Sequence, residues 1–432
     1  METGFYVSLL IFVGTLAFIF LERIHRTIIA IAGAGLMISA GIFLGFYSEK
    51  EAAASIDFST LGLLFGMMVL VALLRPTGFF EYLAIQAGRI SKGNPVRLLI
   101  MLGVVTTVLS MFLDNVTTVI LIAPVTILIC EVLGLSPAPF LIAEAILSNT
   151  GGIGTLVGDP PNVLIGSAVP FTFGDFITHT LPVVVVVWAA VLALLLWMFR
   201  KELVGTPKMV ERVNQLDPSR ALDDVATARK VLIVLGVAVF FFFIHHRFHI
   251  SPSFVAMAAA AIALIWVNPK DLTDVFERVE WTALVFFAAL FVMVGGLESA
   301  GVLTWLAERI LSIGANIEPV WFGVLLIWAV ALLSAVIDNI PVTIALIPVI
   351  AQLGTSGMNA EPLWWALAFG AGFGGNGTII GSTANIIVVS LSEKTKTPIT
   401  AKSWSRVGIP AMLLACSITS VLYVIFYPWF GG

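Results

Sequence analysis

The chain has 432 residues, of which 59% are hydrophobic and 11% charged, with a net charge of −4. A soluble domain of this size cannot hide so much apolar surface in one core, so a water-soluble globular protein is excluded. The two cysteines, Cys130 and Cys416, lie in separate apolar segments; they offer no disulfide framework and no thiolate metal site, and read as small apolar side chains.

Apolar runs long enough to cross a bilayer recur along the chain, which predicts an all-α polytopic membrane protein. The first, 4–21, lacks the basic start and small-residue cleavage site of a signal peptide and is followed by Arg23 and Arg26. It reads as a retained span with its N-terminus outside. Spans 27–46 and 58–75 come next. Segment 97–133 is apolar but broken at Asp114-Asn115. Its arms of about 15 residues give roughly 22 Å of helix, short for a full span, and predict a re-entrant hairpin. A broken helix, 138–170, has arms 138–150 and 161–170 around a glycine-rich stretch, and span 179–199 closes the first half. A polar linker, 200–229, leads to spans 230–246, 252–268 and 281–298. A second hairpin, 319–354, is broken at Asp338-Asn339; a second broken helix, 361–391, has arms 361–373 and 385–391. The last span is 407–427.

The second half repeats the first. LSMFLDNVTTVILIAPV (109–125) aligns with LSAVIDNIPVTIALIPV (333–349) at an offset of 224, with 7 of 17 positions identical. GGIGTLVGDPPNV (151–163) aligns with GGNGTIIGSTANI (374–386) at 223, with 6 of 13 identical. DFSTLGLL at Asp57 answers EWTALVFF at Glu280, again at 223. Duplicated halves mark many secondary transporters. With both hairpins re-entrant, the loops near 22–26, 75–97, 200–230, 268–279 and 392–406 share one side and hold 19 of the 22 Lys and Arg. The positive-inside rule then places the linker in the cytoplasm and both termini outside. Five spans and one hairpin per half, repeats 1–199 and 230–432, make the halves inverted in topology.

The glycine-rich breaks need a reason, because irregular backbone at membrane depth survives only when buried in protein or lining a cavity. Gly151, Gly152, Gly154 and Gly158 permit close approach, and Pro160-Pro161 start a new helix. Matching breaks in two halves point to a transport site. The candidate solute ligands are Asn115, Thr117, Thr118, Gly154, Asn162, Asn339, Asn376, Thr378, Ser382 and Asn385. Asp114 and Asp338 each read as an N-cap opening the returning arm of a hairpin. A charge at that depth costs several kcal/mol, which also makes these acids candidate proton carriers or cation ligands. Asp159 and Glu144 are further candidate coupling acids. Their repeat mates are Ser382 and Leu367, an asymmetry that suits one coupling-ion site; a hydrogen bond to a neighbouring helix is the alternative role for Glu144. No Lys or Arg falls in the predicted mid-membrane elements, which favours a cation, a proton or a neutral polyhydroxy solute over a dianion. Gly152-x-Gly154-x-x-x-Gly158 lacks the βαβ context of a nucleotide fingerprint. His245, His246 and His249 lie at the outer end of a span and read as an interfacial cluster rather than a metal site.

FLDNVTTVILIAPVTILICEVL, GDPPNVLIGSA and DNIPVTIALIPV resemble the ion transporter superfamily, and within it the ArsB/NhaD permease group with its melanosomal P protein-like bacterial transporters. The resemblance spans nearly the whole chain. It implies ten or eleven spans in two inverted repeats, a homodimer with elevator-like movement, and location in the inner or plasma membrane. It also implies, in related systems, a cytoplasmic ATPase subunit. Carboxylate transporters that resemble the chain carry Ser-Asn-Thr at the tips where Asp-Asn stands here, which argues against sodium–dicarboxylate transport. Arsenite, as neutral As(OH)₃, suits a site without a fixed cation. The sequence therefore favours proton-coupled efflux of arsenite or antimonite, with no cofactor, no resident metal and no nucleic-acid partner. Sodium/proton antiport, organic anion (dicarboxylate or citrate) transport and an ion channel are the alternatives. No hydrolase triad supports an enzyme.

Overall fold

The computed structural model describes residues 2–21, 24–204, 218, 221–314 and 317–431. Half of the predicted linker, including 205–217, lies outside them. The helices of the first half are α1 (Glu2–Phe20), α2 (Arg26–Leu44), α3 (Glu49–Ala54), α4 (Phe58–Leu74), α5 (Phe79–Ile90), α6 (Pro95–Ser110), α7 (Asn115–Leu133), α8 (Ala138–Gly152), α9 (Pro160–Ala168), α10 (Phe173–His179) and α11 (Leu181–Met198). Those of the second are α12 (Val225–Ile244), α13 (Pro252–Val267), α14 (Leu272–Glu277), α15 (Trp281–Ser299), α16 (Val302–Gly314), α17 (Pro319–Ile337), α18 (Asn339–Thr355), α19 (Glu361–Gly374), α20 (Thr383–Ser392) and α21 (Ala401–Ile425). No strand occurs among the described residues. Nine of these helices are long and apolar enough to cross a membrane.

The repeat seen in sequence is also a repeat in packing. Helix α2 of the first half packs against α15 of the second, while α13 and α4, their repeat mates, pack together in the same way. In the transport elements, α6 lies on α8 and α17 on α19, whereas α7 reaches across to α20 and α18 to α9. Each half thus completes the other, the exchange expected of halves related by a two-fold axis. The first arms of the two broken helices form the centre: Phe140–Gly152 of α8 and Leu363–Gly374 of α19 are buried throughout. The polar Glu144, Ser148, Asn149 and Thr150 of α8 are thereby enclosed in protein rather than exposed to lipid.

Local chemistry sets the ends. Asp114 caps α7, accepting from the Thr117 amide at 2.9 Å. Proline at the first turn opens α6, α8, α9, α13, α17 and α19 without losing a helical hydrogen bond. Asp224 caps α12 through the Thr227 amide at 2.9 Å, so that helix begins five residues before the predicted span. Two amphipathic helices, α5 and α16, occupy repeat-equivalent stretches that the sequence reading treats as loops. The hairpin arms are also longer than predicted, at 16 and 19 residues for α6 and α7 and 19 and 17 for α17 and α18. The turns are short because an aspartate cap needs only a few residues, so helix runs almost to each tip.

Candidate functional site

The two hairpin tips and the two breaks meet in one place. Within each half, the break is fastened to its own tip. Thr155 donates to the Met111 carbonyl, and its Oγ1 accepts from the Gly158 amide at 3.1 Å. Thr378 repeats this, donating to the Ala335 carbonyl and accepting from the Gly381 amide at 3.2 Å. Ser110 Oγ lies 2.7 Å from both Asn115 Oδ1 and the Ser148 carbonyl; Ser334, its mate, donates to the Ala371 carbonyl at 2.7 Å. Glycine is required where the strands of backbone touch. A Cβ on Gly152 would sit 2.5 Å from Asn115 Oδ1 and 2.7 Å from the Gly158 carbonyl oxygen.

Asn162 and Asn385 hold the breaks open. Asn162 Nδ2 donates to the Ile153 and Thr155 carbonyls at 2.9 and 2.8 Å. Asn385 Nδ2 donates to the Gly375 and Thr378 carbonyls at 2.7 and 2.9 Å. These amides satisfy backbone oxygens that the helix interruption frees, which hydrocarbon cannot do. Both are fully buried, and their amide hydrogens are committed to the chain itself.

Asp159 is the meeting point of the two halves. Its Oδ1 accepts from Asn115 Nδ2 at 3.1 Å and from Asn339 Nδ2 at 3.3 Å. The carboxylate is 1% exposed, and both Asp114 and Asp338 are close enough to act on it electrostatically. Asp114 is less enclosed; its Oδ2 accepts from the Thr117 hydroxyl at 2.5 Å, and Glu280 Oε1 lies 3.5 Å from that hydroxyl. Thr118 is buried with no partner for its hydroxyl among the described residues.

Asp338 differs from its mate in backbone and in partner. It has φ 91° and ψ 145°, a region nearly closed to side-chain-bearing residues, at a cost of about 1–3 kcal/mol. Its Oδ2 pairs with Arg26 Nη1 at 3.0 Å and accepts from the Thr383 hydroxyl at 3.2 Å. Arg26 also donates to the Thr383 hydroxyl and lies over the Phe286 ring, 5.1 Å from its centre. The expectation that no Lys or Arg reaches the site is therefore corrected. Arg26 begins α2, and the side chain extends from what reads as a cytoplasmic loop into the tip. Long basic side chains at helix ends have that reach.

A second polar cluster joins α8 to the second break. Asn149 Nδ2 donates to Asn376 Oδ1 at 3.1 Å and Asn385 Oδ1 at 3.0 Å, and its Oδ1 accepts from Ser382 Oγ at 3.0 Å. Asn376 Nδ2 reaches Thr150 Oγ1 at 3.4 Å. The repeat mate of Asn149 is Gly372, whose place is filled by Ile153, only 2.3 Å from a Cβ built there. Asn162 Oδ1, the mate of the oxygen that Asn149 serves, consequently has no partner among the described residues.

Two predicted site residues lie apart. Gly154 has Leu181 and Met111 as its nearest side chains, beside the Gly151 carbonyl. Glu144 sits between α7 and α8, where Thr126 donates to it and its Oε2 has no partner among the described residues; this is the helix-to-helix bond named as its alternative role. Conversely, sequence reading misses Arg26, Glu280, Asn149, Ser110 and Ser334 as site residues. Asn149 carries one signal, a lone amide one turn before a glycine break. Arg26 and Glu280 carry only their positions at helix starts. Among the described residues no group of three or more His, Cys, Asp or Glu is arranged to hold a metal ion.

Comparison with known proteins agrees with this geometry. Residues 16–370 match the family described as citrate transporter, CitMHS. A 46 kDa membrane protein of Mycobacterium leprae is 37% identical, covering 96% of this chain and 97% of its own. The human P protein is 34% identical over 96% of this chain and 59% of its own length, as the resemblance to P protein-like transporters implies. The crystal structure of the YdaH transporter of Alcanivorax borkumensis, described as having an unusual topology, superposes with a TM-score of 0.58 over 86% of both chains at 16% identity; that likeness shows the fold. The chain belongs to the citrate transporter family of the ion transporter superfamily and is a multi-span membrane transporter of the secondary class.

Proposed function

We propose that the chain moves a small organic anion together with protons. The observation that carries this reading is Arg26, a guanidinium a quarter exposed and 3.0 Å from Asp338 at the tip of the second hairpin. Its hydrogen bonds to side chains of the site run through Nη1, leaving the rest of a planar fork suited to a carboxylate. The description of the family as citrate transporter supports a carboxylate-bearing substrate.

Protons follow from the charge count. Asp338 and Glu280 lie within electrostatic reach of the Arg26 guanidinium, and Asp114 and Asp159 within reach of those acids. A further negative charge about 6 Å from an ionised carboxylate costs on the order of 3 kcal/mol at an effective dielectric of 20. Protonating one carboxylate removes that cost, so anion and proton each strengthen the binding of the other. Asp-Asn in place of Ser-Asn-Thr at the tips supports protons over sodium as the coupling ion. Asp159, shared by both tips, is the natural proton carrier.

Export of arsenite or antimonite is the second reading. It loses the premise of a cation-free site, but the neutral cluster of Asn149, Asn376, Ser382 and Asn385 suits a polyhydroxy solute. Flux into proteoliposomes separates the readings. Labelled citrate and succinate, arsenite, and sodium are each presented under an imposed pH gradient. The proposal expects saturable accumulation of a carboxylate that stops when the gradient is collapsed. Arsenite or sodium flux without carboxylate flux refutes it, as do unitary currents of channel size.

A further inference from the structure

Far from the tips, a groove of about 700 Å³ opens where α11 ends, α21 begins and α8 takes its first turn. Arg200, Lys201, Lys402 and Arg406 line it, with Glu202 as the acid among its lining residues. Four cations and one carboxylate leave a local charge of +3. All four cations are exposed, and none is in a salt bridge among the described residues. We propose that this groove binds the headgroup of an anionic phospholipid.

The position selects a lipid over a soluble anion. Helices α11 and α21 are both apolar membrane-length helices, and the groove lies at the end where both reach water. Trp197 is 62% exposed and lies under the Arg200 guanidinium, 4.7 Å from ring centre to Cζ. That pairing of an aromatic body with a charged tip is typical of the headgroup level. From Arg406 the surface continues apolar: Ile409 and Leu413, at i+3 and i+7, are 40% and 42% exposed. They share one helix face with Arg406, so an acyl chain can run along it while the phosphate meets the cations. Basic pockets between membrane helices bind such headgroups by the same chemistry. Ala138, Pro139 and Ile142, in the first turns of the helix that carries Asn149, also line the groove, so a bound lipid would contact that broken helix at its start.

The test compares the protein in nanodiscs of phosphatidylcholine alone with nanodiscs containing phosphatidylglycerol or cardiolipin, reading retained lipid by native mass spectrometry and unfolding temperature. The expected result is selective retention of anionic lipid with a raised unfolding temperature. The triple variant R200Q/K402Q/R406Q should bind it about a hundredfold more weakly, at roughly a fivefold factor per cation. A control variant, R89Q/K92Q/K270Q, removes as many exposed charges elsewhere and should bind as the wild type does. Equal loss in the control, or full retention in the triple variant, overturns the proposal. So does equal stabilisation by inorganic phosphate, which would make the groove a soluble-anion site.

Discussion

Replacing Arg26 with Gln tests the core of the functional reading. The pair it forms with Asp338 is neither at the surface nor fully enclosed, with side chains 25% and 9% exposed. Exposed pairs contribute about 0–1 kcal/mol, whereas stripping one partner from a buried pair costs about 3–5 kcal/mol. The intermediate burial places the loss near 2 kcal/mol, enough to lower the unfolding temperature by a few degrees without preventing folding. The functional loss is separate. A hydrogen bond from a charged donor to a substrate carboxylate contributes about 1.5–3 kcal/mol, so KM for the anion should rise roughly 10- to 100-fold.

The same geometry predicts the opposite effect at the partner. In the structure Asp338 occupies the guanidinium, so an incoming carboxylate has to displace it. Asp338→Asn removes that competitor, and the anion should bind more tightly while its KM loses part of its dependence on pH. Counterflow of labelled citrate in proteoliposomes, measured from pH 5 to pH 8, reads both effects. An unchanged KM in Arg26→Gln, with Arg26→Lys indistinguishable from it, would refute the assignment even if the transporter carries citrate.

Three further outcomes follow from named contacts. Asp159→Asn should fold, since Asn115 and Asn339 can reorient around an amide, but uptake should no longer respond to a proton gradient; retained gradient-driven accumulation would remove Asp159 as the carrier. Asn149→Ala deletes three hydrogen bonds joining α8 to the second break and leaves the Asn376 and Asn385 oxygens orphaned. Its cost should be about 2–4 kcal/mol, seen in thermal unfolding in detergent, and a loss below 1 kcal/mol would show the cluster to be wet. Asp338→Gly should be more stable than Asp338→Ala by about 1–3 kcal/mol, because glycine accepts φ 91° without strain; equal unfolding temperatures would mean that the backbone relaxes.

Much of the fold is legible because membrane helices obey few rules. Apolar length, proline at the first turn and a repeating offset placed the spans within a few residues of where they lie, and the two polar breaks fell where α6 gives way to α7 and α17 to α18. Helices α5 and α16 were hidden because they are amphipathic and short, so neither hydropathy nor length distinguishes them from loops. At the site, the tip acids and the break asparagines carry their own signal, since polar residues inside apolar runs need a reason. What sequence could not convey is reach. Arg26 is 312 residues from Asp338, and nothing local distinguishes it from the other basic residues at the predicted cytoplasmic ends. Thr118 and Asn162 are buried as expected of site residues, but Asn162 spends its donors on the break itself.

The halves are alike in backbone and unlike in charge, and the difference bears on how transport could be coupled. Two matching hairpins and two matching breaks give a scaffold whose inward and outward forms can be near in energy, because exchanging the roles of the halves recreates similar packing. A perfectly symmetric site would carry two equal coupling positions. Here Asp159 stands where the second half has Ser382, and Asn149 where it has Gly372. The tips diverge as well: both aspartates cap their own helices, but Asp114 does so beside Glu280, while Asp338 also holds Arg26. The buried carboxylate therefore belongs to one break but is hydrogen-bonded by both tips. On the proposed reading, a proton arriving at Asp159 alters the hydrogen bonding of both hairpins at once, and one carboxylate held by both tips is the least machinery that would report the same proton to both sides of the membrane.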